Sequence, residues 1–190
     1  MLKIIQAPAE VLSEKASKLN PPTVDPKLLK EMGKALDGAS DPKGVGLAAP
    51  QVGRSLYFFI TKPNNRSKPQ VFINPRVISL GKLQRKNSGK KSRGARPGSA
   101  REKKLEGCLS LQDIWGEVKR FDEVKLEYFD GKGIRRTRKF TGFMSIIVQH
   151  EIDHLEGILF PKRVLEQKGK LYKSSKNEKD ELIFDPIEIL

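Results

Sequence analysis

The run His150-Glu151-Ile152-Asp153-His154 carries the strongest chemical signal in the chain. Histidines four positions apart stand on one side of a helix, one turn from each other, so both imidazoles can reach a single divalent ion. Glu151, next to the first histidine, can take the proton of a water held by that ion. A bare H-E-x-x-H string also arises by chance, but these are the chain's only 2 histidines. On a helical face that is otherwise apolar, two unpartnered histidines would be costly unless something binds them. Two ligands do not complete a zinc or iron site. Cys108, in Glu106-Gly107-Cys108-Leu109-Ser110, is the candidate third: its thiolate is a strong soft ligand, and Gly107 lets another backbone approach. A lone cysteine is more often a small buried hydrophobe, a reading that the two-histidine helix reverses. The donor set suits Fe(II), Zn(II), Co(II) or Ni(II), and ligand type alone does not choose among them.

A third segment, Gly44 to Gly53, reads G-V-G-L-A-A-P-Q-V-G. Its small residues permit close backbone approach, and the side-chain N–H of Gln51 can stabilise an oxyanion. It lacks the Lys-Ser/Thr pair of a phosphate-binding P-loop and the spacing of a dinucleotide fingerprint, which disfavours nucleotide binding.

These segments need elements to hold them. The spacing of Phe143, Ile146, Ile147, His150 and His154 predicts a helix from about Thr141 to Gly157, with both histidines on the stripe that enters the core. An earlier helix is expected from the N-cap Asp25 and Pro26 to about Gly38. Leu56–Thr61 and Val71–Ile73 read as strands. Val124, Leu126 and Tyr128 alternate with Lys125 and Glu127, and Asp130-Gly131 turns the chain into a second strand over Ile134–Phe140, making a hairpin.

The 190 residues fit one domain with a real core, and 37% hydrophobic against 32% charged residues excludes a membrane-integrated protein. The first residues lack the layout of a signal peptide, and the 1 cysteine fits a reducing compartment, so a cytoplasmic location is expected. Net charge is +14, of which Lys82–Lys104 supplies +9, ten basic residues against Glu102 alone. That stretch has almost no apolar residue to bury, so it reads as a mobile basic insertion.

Together the motifs resemble the peptide deformylase family, which is marked in order by G-x-G-x-A-A-x-Q, E-G-C-x-S and Q-H-E-x-D-H. Here they read Gly44, Gly46, Ala48, Ala49 and Gln51; Glu106 to Ser110; and Gln149, His150, Glu151, Asp153 and His154. The likeness fails over 82–104 and again in the tail 162–190, which ends in an apolar, strand-like stretch. It also departs at Gln112, where the family often has proline. The resemblance implies an α+β fold with the metal helix packed between antiparallel β-sheets, and hydrolysis of the formyl group from the N-terminal methionine of nascent peptides. By position it implies Cys108, His150 and His154 as metal ligands, Glu151 as proton carrier, and Gln51 with the backbone N–H of Leu109 at the oxyanion. Val45, Gly46 and Gly107 would pair with an extended substrate, and Phe143, Ile146 and Ile147 would line the methionine pocket. Glu106 and Gln149 would orient the ligands. Fe(II) is the implied ion, with Zn(II) or Ni(II) able to replace it. A zinc peptidase is the weaker alternative, because Cys108 lies upstream and no third histidine exists. A ribosome- or RNA-binding homologue without activity is weaker still, since every ligand and Glu151 are present. The basic segment 82–104 could hold the enzyme to ribosomal RNA by charge alone.

Overall fold

The computed structural model describes residues 2–40, 42–64, 67–83, 105–178 and 181–188. Two antiparallel sheets frame it. The first has five strands in the order β1 (Gly46–Ala48), β2 (Phe58–Thr61), β3 (Gln70–Leu80), β6 (Glu123–Phe129) and β7 (Arg135–Thr141). The second has four, in the order β4 (Glu106–Cys108), β5 (Leu111–Gly116), β8 (Leu171–Lys176) and β9 (Leu182–Pro186). Helices α1 (Pro26–Gly38), α2 (Gly142–Leu155) and α3 (Phe160–Glu166) complete the fold.

Why β2 is buried at every position follows from its surroundings: both of its faces are covered. Phe59 packs with Phe72, Val124, Leu126, Tyr128 and Phe140 beneath Val148 and Leu155 of α2. Phe58 and Ile60 pack with Met32 and Leu36 of α1. The helix α1 starts where the sequence puts it, with the Asp25 carboxylate accepting a 2.8 Å bond from the Lys27 N–H. The hairpin β6–β7 also forms, burying Val124, Leu126 and Tyr128 while Lys125 stays exposed.

Helix α2 ends where the chain reaches Gly157, at φ +70°, a conformation that L side chains rarely adopt. A Cβ there would also lie 2.6 Å from the Ser13 carbonyl oxygen. The N-terminal segment thus clamps the end of the histidine helix, and the Ala16 N–H donates to the Leu155 carbonyl at 2.9 Å.

Several expectations need correction. Phe143 is 59% exposed, and the α2 residues that pack into the core are Met144, Val148, Ile152 and Leu155, a stripe beside the expected one that carries the histidines. The strand at Val71 runs on to Leu80; its outer half, with Val77, Ile78 and Leu80 exposed, is held by pairing with β6 instead of by burial. Strands β4, β5 and β8 appear where none was anticipated. The apolar tail does form a strand, β9, paired to β8. Of the basic segment only Lys82 and Leu83 are described, Leu83 bridging to Phe121; the mobile loop expected for the rest lies outside the described residues. Among the described residues no helix is long and apolar enough to cross a membrane.

Candidate metal centre

The elements converge on one point. Helix α2 carries His150 and His154, and β4, the edge strand of the second sheet, carries Cys108 opposite them. The Cys108 sulfur stands 3.2 Å from His154 Nε2, and the ligand atoms of Cys108, His150 and His154 all lie within 4.8 Å of one another. Donors sharing one tetrahedral ion stand about 3.4–3.6 Å apart, given bonds of about 2.0–2.3 Å, so these three fit a zinc- or iron-sized cation. His150 and His154 lie with ring centroids 4.9 Å apart, edge to face, as expected for side chains one helical turn apart.

The electrostatics agree. Burial drives His154 well below the ordinary histidine range, leaving it as the neutral imidazole that a metal needs. For His150, burial acts downward, yet hydrogen bonds to Cys108 and Glu106 outweigh it and raise the ring well above its usual value. The thiol and the carboxylate thus attract positive charge to this spot, which a divalent ion would supply in place of a proton.

Glu151 sits beside them, 3% exposed, its Oε2 with no hydrogen-bond partner among the described residues. Burial pushes its carboxyl up to about 7, against the pull of His150 and Arg120. A buried acid poised near neutrality can both accept and release a proton. It is set against β1: a Cβ on Gly46 would fall 2.2 Å from Glu151 Oε1, so only glycine leaves room. From the turn after β1, Gln51 accepts the Ala48 N–H at 2.9 Å and turns its own Nε2 to Cys108 Sγ at 3.6 Å and Ser110 Oγ at 3.2 Å.

A match to the polypeptide deformylase family spans residues 1–170. This chain belongs to the peptide deformylase family. Its chemistry is the family's metal-dependent hydrolysis of the N-formyl group from nascent polypeptides. It is 35% identical over 159 residues to a peptide deformylase of Chlorobaculum parvum, covering 81% of this chain and 74% of that protein. A peptide deformylase of Synechococcus elongatus in complex with actinonin superposes with a TM-score of 0.67 at 27% identity, over 85% of this chain and 79% of the other. A Met-Ala-Ser-bound class I type b peptide deformylase from Acinetobacter baumannii gives 0.65 at 29% identity, over 86% and 98%.

The deformylase motifs supply the ligands and the carboxylates Glu106 and Asp153 behind them, and arginines outside the motifs tie these together. Glu106 Oε2 lies 3.1 Å from His150 Nδ1, fixing the ring so that its other nitrogen faces Cys108. Burial pushes the Glu106 carboxyl up, but Arg120 and His150 overcome it and hold it at about 2. Arg120, 5% exposed, grips Glu106 at 2.8 and 2.9 Å and Asp153 at 2.5 Å. Arg163 of α3 closes the chain on Asp153 at 2.8 Å. Arg120 and Arg163 were not singled out by sequence; each is one basic residue among 37 Lys and Arg, and only the fold reveals its partner. Gln149 bonds the backbone of Phe121 at 3.0 and 2.9 Å, tying α2 to the start of β6 and not touching a ligand. Of the expected pocket residues, Ile147 is 3% exposed and Ile146 half-buried, while Phe143 projects to solvent. Leu109 follows Cys108 and packs against the α1 core.

Proposed function

We propose that Cys108, His150 and His154 hold one divalent ion and that Glu151 moves the proton in removal of the formyl group from formyl-methionyl peptides. The observation that carries this is the convergence of three ligand atoms within 4.8 Å of one another beside a buried carboxylate whose Oε2 has no hydrogen-bond partner among the described residues. When bound, the ion supplies Lewis acidity, which makes water a nucleophile near neutral pH and polarises the formyl carbonyl. Glu151 takes the proton of the attacking water and passes it to the amine nitrogen as the C–N bond breaks, giving formate and a free N-terminus. Gln51 Nε2 and the Leu109 N–H donate to the oxygen on which negative charge develops.

Strands β1 and β4 are each at the end of their sheets. Val45 and Gly46 on one side and Gly107 on the other receive the peptide as an added strand. Ile146 and Ile147, with Phe143 at the mouth, surround the methionine side chain. Fe(II) is the native ion in this reading, with Zn(II) or Ni(II) as substitutes. The enzyme works as a single catalytic domain in the cytoplasm, and the basic stretch 82–104 holds it near ribosomal RNA without reading sequence.

The test is formate release from formyl-Met-Ala-Ser after anaerobic chelator treatment and re-addition of Fe(II), Zn(II) or Ni(II). Loss and metal-dependent recovery is the expected result; full turnover by verified metal-free protein would overturn the reading. For the basic stretch, replacing 85–101 with a Gly/Ser linker should weaken ribosome binding and flatten its salt dependence. An unchanged affinity and salt slope would remove that role.

A further inference from the structure

Strand β4 presents different chemistry on its two sides. Glu106 and Cys108 point toward α2, where they meet His150 and His154. Gly107, between them, faces the opposite side by the alternation of a strand. A Cβ there would lie 2.9 to 3.1 Å from Cζ3, Cε3 and Cη2 of Trp115, so the indole lies directly over the Gly107 backbone. Trp115 is the cross-strand neighbour of Gly107, and Tyr172 of β8 is the next residue across.

The ring is anchored. Its Nε1–H donates to Ser174 Oγ at 3.2 Å, and Phe184 meets it edge to face at 5.5 Å between centroids. Ser174 and Phe184 are 5% and 7% exposed and lie opposite each other in the β8–β9 hairpin. That hairpin begins at Leu171, just past residue 170 where the family match stops. Trp115 itself stays half-buried.

We infer that Trp115 is a specificity-determining residue: its ring, braced by the C-terminal hairpin, is the wall on which the side chain of the substrate's second residue packs. This rests on the proposed addition of the peptide as a strand beside Gly107. In such a strand the methionine side chain points to the α2 side, toward Ile146 and Ile147. The side chain of the next residue therefore points to the other face, where the indole stands. A flat apolar wall with no charge of its own selects formyl-methionyl peptides whose second residue is aliphatic or aromatic, and gains nothing from glycine.

The test compares formyl-Met-Leu-Ser with formyl-Met-Gly-Ser. The metal-loaded enzyme should favour the leucine peptide about tenfold in kcat/KM, mostly through KM, as a partly buried aliphatic side chain warrants. Trp115→Ala should bring that ratio close to one. If this variant does not fold, Ser174→Ala, which frees the indole, should lower the ratio about threefold, the loss expected for one neutral hydrogen bond. Because Trp115 is the only tryptophan, its fluorescence gives a second readout: Met-Leu-Ser should shift the emission on saturation and Met-Gly-Ser should shift it far less. A wild-type ratio near one, equal shifts with both peptides, or an undiminished ratio in Trp115→Ala would overturn the inference. Should formate be released with no preference at the second residue, this inference alone fails. Should no formyl peptide release formate, the underlying reading fails instead.

Discussion

Arg120→Met is the sharpest probe of how the metal centre is built. The guanidinium makes three charge-assisted bonds, two to Glu106 and one to Asp153, with all three side chains at most 10% exposed. Methionine fills much of the volume but leaves the carboxylates behind. Asp153 keeps Arg163; among the described residues Glu106 keeps only His150. Removing one partner of a buried ion pair costs about 3–5 kcal/mol, and the retained Arg163 puts this case at the lower end, about 3 kcal/mol. For a chain of this size that lowers the melting temperature by about 6–12 °C. Glu106, no longer gripped through both oxygens, loses the fixed orientation with which it meets His150 Nδ1. Loss of such an orienting group weakens metal binding about 10- to 100-fold. Thermal melting and competition against a graded chelator series measure the two effects. A variant that melts within about 2 °C of the parent and holds its metal equally well would refute the assignment of Arg120 as the keystone of the site.

Three further outcomes follow from the same geometry. Cys108→Ser should lose its metal on dialysis against a chelator that the parent survives, because a hydroxyl is harder and far less readily ionised than a thiol; retained metal would exclude Cys108 as a ligand. Gly46→Ala places a methyl 2.2 Å from Glu151 Oε1, and since a misplacement of about 1 Å can cost on the order of 100-fold, turnover should drop at least tenfold; activity within twofold of the parent would contradict the contact. Glu106 has a depressed folded pKa of about 2 against an ordinary 4.5, so its stabilisation is present above about pH 4.5 and is lost as pH falls toward 2. The urea midpoint should decline over that window, and less steeply in Glu106→Gln; parallel declines would be the contrary result.

The histidine and glutamate part of the reacting centre was legible because it is local. His150, Glu151 and His154 share one helix turn, and the helical repeat alone aligns them. The hairpin β6–β7 was legible for a similar reason, an alternating strand beside a turn. Strand β4 was not: it has three residues, one of them glycine, and its partner β5 is interrupted by a register shift, with Asp113 at φ +61°. Strand β8 hides its apolar face in Leu-Tyr-Lys-Ser-Ser-Lys, where Ser174 is buried against Trp115. Arg120 left no trace because its partners lie 14 and 33 residues away. Only the packing of the second sheet on α2 brings them together.

In the proposed mechanism Glu151 carries the proton at a metal held by other residues. Glu151→Gln keeps the shape and all three ligands while removing the proton acceptor, so the measurement is formate release together with bound metal per chain for this variant and its parent. Equal metal content with turnover reduced by about two to four orders of magnitude is the expected result. Equal metal content with more than a tenth of the parent's turnover would contradict it.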